Sequence, residues 1–125
     1  MIDFQESSVF KLTLDKKPNL KIIEDLLVSG EEVVAAYSTV RDKVIFTNKR
    51  VIAINIQGIT GMKKDFTTLP YAKVQAFSVE TAGAFDMEGE LDLWFSSVGC
   101  IHFEFLAGSN IKEVNHVISE YVLNH

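Results

Sequence analysis

Between Glu32 and about Ala107 apolar and polar residues alternate in short runs, the two-residue period of strands with one face toward a core. Seven runs stand out: 32–40, 44–47, 50–56, 63–69, 74–81, 91–96 and 100–106. Polar or glycine-bearing turns separate them, among them Arg41-Asp42-Lys43 and Gln57-Gly58-Ile59-Thr60-Gly61. Asn48-Lys49 is short enough for a two-residue hairpin, in which Asn48 would accept a positive φ. Pro70 ends its run, because proline cannot donate to a central ladder.

The flanks follow other periods. Residues 1–18 are poorly defined, with only Phe10, Leu12 and Leu14 alternating before Lys16-Lys17-Pro18. Over 19–29, Leu20, Ile23, Leu26 and Leu27 recur at helical steps, with Asn19 as a cap and Gly30 as a left-handed stop. Over 110–123, Ile111, Val114, Val117, Ile118, Tyr121 and Val122 form one stripe, and Asn110 with Glu113 suits a capping box. The expected architecture is mainly β: one domain spanning 1–125, with a partly open, seven-stranded antiparallel barrel over 31–107. A short N-terminal helix precedes it and a C-terminal helix caps it.

Parity constrains the last two strands. Leu91, Leu93 and Phe95 share a face with Ile101, Phe103 and Phe105 only if the register preserves alternation. A three-residue loop, Ser97-Val98-Gly99, would pair Phe95 with Ile101 and Leu93 with Phe103. Trp94, Cys100, His102, Glu104, Asp92 and Ser96 then form an outward row.

Composition narrows the function. The 125 residues carry a net charge of -5, from 17 acidic and 12 basic side chains, which disfavours nucleic acid as a partner. A single cysteine cannot form an internal disulfide. The N-terminus lacks the basic start and apolar run of a signal peptide, and no stretch reaches the roughly 20 apolar residues of a spanning helix, so the cytoplasm is the expected location.

An ordered set of motifs runs through the chain: Arg41-Asp42, Phe46-Thr47-Asn48-Lys49-Arg50, Gln57-Gly58-Ile59-Thr60-Gly61, Leu69-Pro70-Tyr71, Phe77–Gly83, Phe85-Asp86, Glu90-Leu91 and Trp94. It resembles the bacterial pleckstrin-homology-like domain family. The resemblance implies two nearly orthogonal antiparallel sheets with a helix over one open end. It also implies self-assembly as a homo-oligomeric ring, a pentamer being the candidate size. It supplies no catalytic residue, no cofactor and no metal ligand, and fold alone does not assign an activity.

Candidate chemistry is sparse. A phosphoinositide site of the eukaryotic kind needs a Lys in the first strand and a basic pair early in the second, and the run 32–40 has neither Lys nor Arg. Arg41, Lys43, Lys49 and Arg50 remain weak anion or lipid candidates, divided between two turns. The row of Cys100, His102 and Glu104, with Asp92 on the neighbouring strand, could ligate a metal or form a Cys-His nucleophile, although spacing of this kind recurs by chance. Asp86, Glu88, Glu90 and Asp92 share one parity but lack the calcium-loop consensus.

Trp94 is the informative member of the outward row, since a large aromatic set against core parity needs a cover. Either the N-terminal segment or another subunit supplies it, and the subunit contact is preferred. The leading expectation is a non-enzymatic binding or scaffolding module, self-associating and with an unidentified protein partner. The alternatives are a membrane-surface or lipid-headgroup binder and, more remotely, a metal-dependent or cysteine-based enzyme.

Overall fold

The structure, a computed structural model, describes residues 11–83 and 88–125. Its strands are β1 (Lys11–Leu14), β2 (Val33–Ser38), β3 (Lys43–Thr47), β4 (Arg50–Gln57), β5 (Lys63–Pro70), β6 (Val74–Thr81), β7 (Gly89–Phe95) and β8 (Gly99–Phe105), followed by helix α1 (Ile111–Asn124). β2–β5 and β6–β8 are antiparallel meanders. β1 joins them, antiparallel to β2 and parallel to β8, giving the order β5-β4-β3-β2-β1-β8-β7-β6. The sheet does not close, so β5 and β6 are its edges.

The mainly β, helix-capped architecture is the expected one, with eight described strands rather than seven. The extra strand is the Leu12–Leu14 alternation. Four residues are too few to identify a strand from pattern alone, and β1 owes its stability to partners on both sides. Its Leu12 is fully buried between the two meanders.

One core fills the space between the meanders and α1. Phe46 of β3 meets Phe103 and Phe105 of β8 at ring-centroid distances of 5.7 and 5.9 Å, and Tyr37 of β2 meets Phe46 at 5.7 Å and Phe105 at 5.0 Å. Ile111, Val114 and Ile118 of α1 complete it. A second cluster lies on the other side of the first meander: Ile23 packs on Ala36, Ile45, Ile52 and Ile54, with Leu20, Ile22 and Leu27 around it. The meander β2–β5 is therefore covered on both faces, which is why Val51–Ile54 is continuously buried.

The segment forming that cover is not the α-helix expected over 19–29. Only Leu20–Ile22 is helical, as a single 3-10 turn, although Asn19 does accept a hydrogen bond from the Lys21 N–H (3.2 Å). Side chains compete for the backbone groups that a helix would use. The Leu26 carbonyl accepts from Arg50 Nη2 (2.5 Å), and the Val28 N–H donates to Glu31 Oε1 (3.0 Å). A helix this short has little stability of its own to oppose them.

Two other local expectations are corrected. Asn48 does not adopt positive φ; Asn110 is the one non-glycine residue that does among those described (φ 62°). Asn48 instead bridges outward, accepting from the Glu32 N–H (2.8 Å) and donating to the Gly30 carbonyl (3.0 Å). The left-handed Asn110 makes no side-chain capping bond, so the Asn110–Glu113 box does not form. Its neighbour Ser109 is buried, with its carbonyl accepting from the Tyr37 hydroxyl, and that contact sets the approach to α1.

Candidate functional site

The meander β6–β8 buries one face only, leaving the other outward. Leu91, Leu93 and Phe95 on β7 and Ile101, Phe103 and Phe105 on β8 all point inward, as alternation predicts. The register between them differs by two residues from the expected one: Leu93 faces Ile101, Leu91 faces Phe103 and Phe95 faces Gly99. Both registers keep the same parity, so the apolar pattern does not distinguish them. Gly99 still takes a positive φ (78°), but it opposes Phe95 instead of lying inside the loop.

The shift rearranges the outward face. Trp94 lies between Ala76 and Cys100, Asp92 between Ser78 and His102, and Glu90 between Glu80 and Glu104, with Lys11 beyond Glu104 on β1. Ser96 falls beyond the end of β7 in the turn, outside these rows. The face thus grades from aromatic at one end to acidic at the other. Trp94 is 38% exposed. Of the described residues before β2, Leu20, Ile22, Ile23 and Leu27 pack on the β2–β5 meander, and β1 lies between β2 and β8; residues 1–10 lie outside the described residues.

His102 is the electrostatic centre. Its Nδ1 is 2.5 Å from Asp92 Oδ1, and its Nε2 is 3.6 Å from Glu104 Oε1 and 3.9 Å from Glu90 Oε1. Burial opposes the charged ring, yet the hydrogen bond and charge of Asp92, with Glu90 and Glu104, hold its pKa above the usual histidine range. The Cys100 pKa is raised as well, the wrong direction for a nucleophile. Partial burial, then the nearby Asp92 carboxylate, push the thiol up and keep it protonated. A Cys-His nucleophile therefore has no support here, and His102 is engaged with Asp92 instead.

The basic candidates divide between two ends of β3. Arg41 and Lys43 are separated from Lys49 and Arg50 by the four steps from Lys43 to Thr47, about 13 Å of strand. Arg50 is tied into the fold: Nε donates to Glu31 Oε2 (2.9 Å), Nη2 to Glu31 Oε1 (3.0 Å) and Nη1 to Thr68 Oγ1 (2.9 Å). The Glu31 carboxylate is sealed from solvent and also accepts from Thr47 Oγ1 (2.7 Å). Burial alone would raise its pKa, but the hydrogen bonds of Arg50, Thr47 and the Val28 N–H outweigh it and keep the carboxyl below its ordinary value. The Phe46–Arg50 motif is thus a latch that fastens the N-terminal cover, with Tyr71 donating its hydroxyl to the Thr47 carbonyl (2.7 Å).

Arg41 performs a similar service at the far end, donating from Nη2 to the Gly58 carbonyl (2.7 Å). This bond brings the β2–β3 and β4–β5 turns together. Buried Asp42 adds to it by accepting from the Ile56 N–H (3.0 Å) and Asn55 Nδ2 (3.2 Å). The tips carry fully exposed Val40 and Ile59 and strongly exposed Met62, with Lys63 and Lys64 beside them.

Reading the sequence alone identified Asp92, Trp94, Cys100, His102 and Glu104 on one face, and the acidic run that contains Glu90. It did not place Glu90 beside His102, nor Glu80 and Lys11 in the same row. The correct register was the missing signal. Asp86 lies outside the described residues.

Known proteins agree with this fold. The model of a family described as bacterial PH domain matches residues 4–122. The chain is 41% identical over 96 residues to the uncharacterized protein YjqA of Bacillus subtilis (strain 168), covering 75% of this chain and 77% of that one. It is 30% identical over 110 residues to the uncharacterized protein YozO of the same organism, covering 88% and 95%. Among solved structures it is similar to a DUF1696 family protein with a pleckstrin-homology domain from Shewanella loihica PV-4, with a TM-score of 0.69, 35% identity and coverage of 82% and 89%. A pleckstrin homology domain from Shewanella amazonensis SB2B gives 0.58 and 38%, covering 82% and 84%.

Proposed function

This chain belongs to the bacterial PH domain family, and from that premise we propose that it serves as a non-enzymatic binding or scaffolding module that works as a homo-oligomer. One observation carries the reading: Trp94 stands exposed on an outward sheet face, beside Ala76 and Cys100, one strand in from the open edge of β6. Among the described residues β6 pairs with β7 alone, so its outer backbone groups are available to a strand of another subunit. A half-exposed Trp next to such an edge has the composition of an interface centre. A ring of five is the candidate arrangement.

Size-exclusion chromatography with light scattering is expected to show an oligomer for the unaltered chain. Trp94→Ala and Cys100→Asp should each weaken association about tenfold or more while circular dichroism stays unchanged. A monomer at every concentration tested removes the proposal.

A second reading has its own observation. Val40, Ile59 and Met62 form apolar tips on two turns that Arg41 joins, with Arg41, Lys43, Lys63 and Lys64 next to them along the chain. Apolar tips beside basic side chains suit shallow contact with an anionic lipid surface, even on a chain of net charge -5. No described helix is long and apolar enough to cross a membrane. Vesicles containing anionic lipid should carry the protein in flotation at low salt and release much of it at high salt. Ile59→Asp should abolish flotation at either salt; no flotation of the unaltered chain at low salt ends this reading.

A further inference from the structure

Three carboxylates stand in consecutive positions across the outward face: Glu80 on β6, Glu90 on β7 and Glu104 on β8. Like charges directly opposite one another destabilise a sheet, so this row needs a compensating cation. Lys11, at the Cα position paired with Glu104, is at the far end of the row. The nearer candidate partner of Glu90 and Glu104 is the imidazole of His102.

The ring is oriented by its other nitrogen. Asp92 Oδ1 lies 2.5 Å from Nδ1, which assigns the proton there to the Asp92 hydrogen bond and leaves Nε2 as the atom facing the two glutamates. A carboxylate behind a histidine is the arrangement that orients metal-ligating imidazoles and raises their basicity.

The spacing suits a small divalent ion. Bonds of about 2.0–2.1 Å at tetrahedral angles place neighbouring donors about 3.4 Å apart. Nε2 is 3.6 Å from Glu104 Oε1 and 3.9 Å from Glu90 Oε1, and all three donor atoms lie within 4.8 Å of one another. Small side-chain rotations on half-exposed residues close the remainder. Space for further ligands is present as well, since an open cleft of about 390 Å³ is lined by Glu90, Glu104, Glu80, Glu88 and Lys11.

We propose that Glu90, His102 and Glu104 form a binding site for a divalent first-row transition metal such as Zn²⁺, with Asp92 as the positioning residue behind His102 and the cleft side left open to water or an exogenous ligand. One imidazole and two carboxylates match zinc-type ions better than calcium, which takes six to eight oxygens. Cys100, considered from the sequence as a ligand beside His102, falls in the Trp94 row and is not part of the set. All three ligands come from one chain, so the site does not depend on self-association.

The test is isothermal titration calorimetry of chelator-treated protein with Zn²⁺ and, separately, Ca²⁺, alongside NMR of the histidine ring signals. Expected is one Zn²⁺ site per chain, with little Ca²⁺ binding and with the signals of His102 moving ahead of those of His116 and His125. His102→Asn and Glu104→Gln should each weaken Zn²⁺ at least tenfold. Asp92→Asn should weaken it about 10- to 100-fold without altering stoichiometry. His125→Asn serves as the control for adventitious histidine binding and should change nothing. The substituted residues are on the surface, and circular dichroism verifies that each variant folds. Absence of saturable Zn²⁺ binding, or binding that survives both His102→Asn and Glu104→Gln, overturns the proposal.

Discussion

Arg50→Met is expected to cost about 3–5 kcal/mol of stability at pH 7, the range for removing one partner of a buried ion pair. The Glu31 carboxylate has no solvent exposure, and Arg50 supplies two of its hydrogen bonds. Arg50 also satisfies the Leu26 carbonyl, tying the N-terminal cover to β4, and donates to Thr68 on β5, so its loss removes both ties. The pH dependence gives the mechanism away. In the unaltered chain the Glu31 pKa is lowered, so its contribution is present above the unfolded value and fades as pH falls through the folded one. Without Arg50, burial dominates and the pKa moves up, so the variant regains stability by taking up a proton as pH falls. The gap in urea midpoint between the variant and the unaltered chain should therefore be smaller at pH 4 than at pH 7. An equal deficit at both values would show that the Glu31 charge is not the source.

Phe46→Ala is expected to cost a further-reaching 3–5 kcal/mol or so, a large share of the roughly 5–15 kcal/mol that holds such domains folded. Phe46 is fully buried and touches rings from both meanders: Tyr37 on its own side, and Phe103 and Phe105 across the core. Its removal leaves a cavity where the two halves meet, and neither half can move in without breaking its own ladder. Phe46→Leu, which keeps much of the volume, should lose about 1.5 kcal/mol or less. Thermal melts followed by circular dichroism should show a fall of roughly 10–20 °C for the alanine variant. Equal shifts for alanine and leucine would mean that the lost edge-to-face contacts matter and the volume does not.

The family motifs read differently once side chains are placed. Thr47, Asn48 and Arg50 all bond to the segment between Leu26 and Glu32, and Arg41 to the Gly58 carbonyl. Their role in this structure is to fasten turns and the N-terminal cover, which accounts for their order along the chain without a ligand. Among the described residues, that leaves the outward face of β6–β8 and the apolar tips at Val40, Ile59 and Met62 as exposed surfaces whose side chains these ties do not use.

Strand positions, the inward set of β7 and β8, and the stripe of α1 were legible because each depends on a residue's own neighbours in sequence. Alternation says which way Leu93 or His102 points, and it did so correctly. It does not say what stands opposite, because a slip of two residues leaves every side chain on its original face. Hence Asp92 beside His102, and Glu90 with Glu104, emerged only when β7 was seen between β6 and β8. The failed helix at 19–29 has the same cause: its local period is helical, but Glu31 and Arg50 claim its backbone groups, and Arg50 is 24 residues from Leu26. Short-range pattern sets direction along a chain, whereas pairings between distant residues answer to packing and charge that no window of sequence contains.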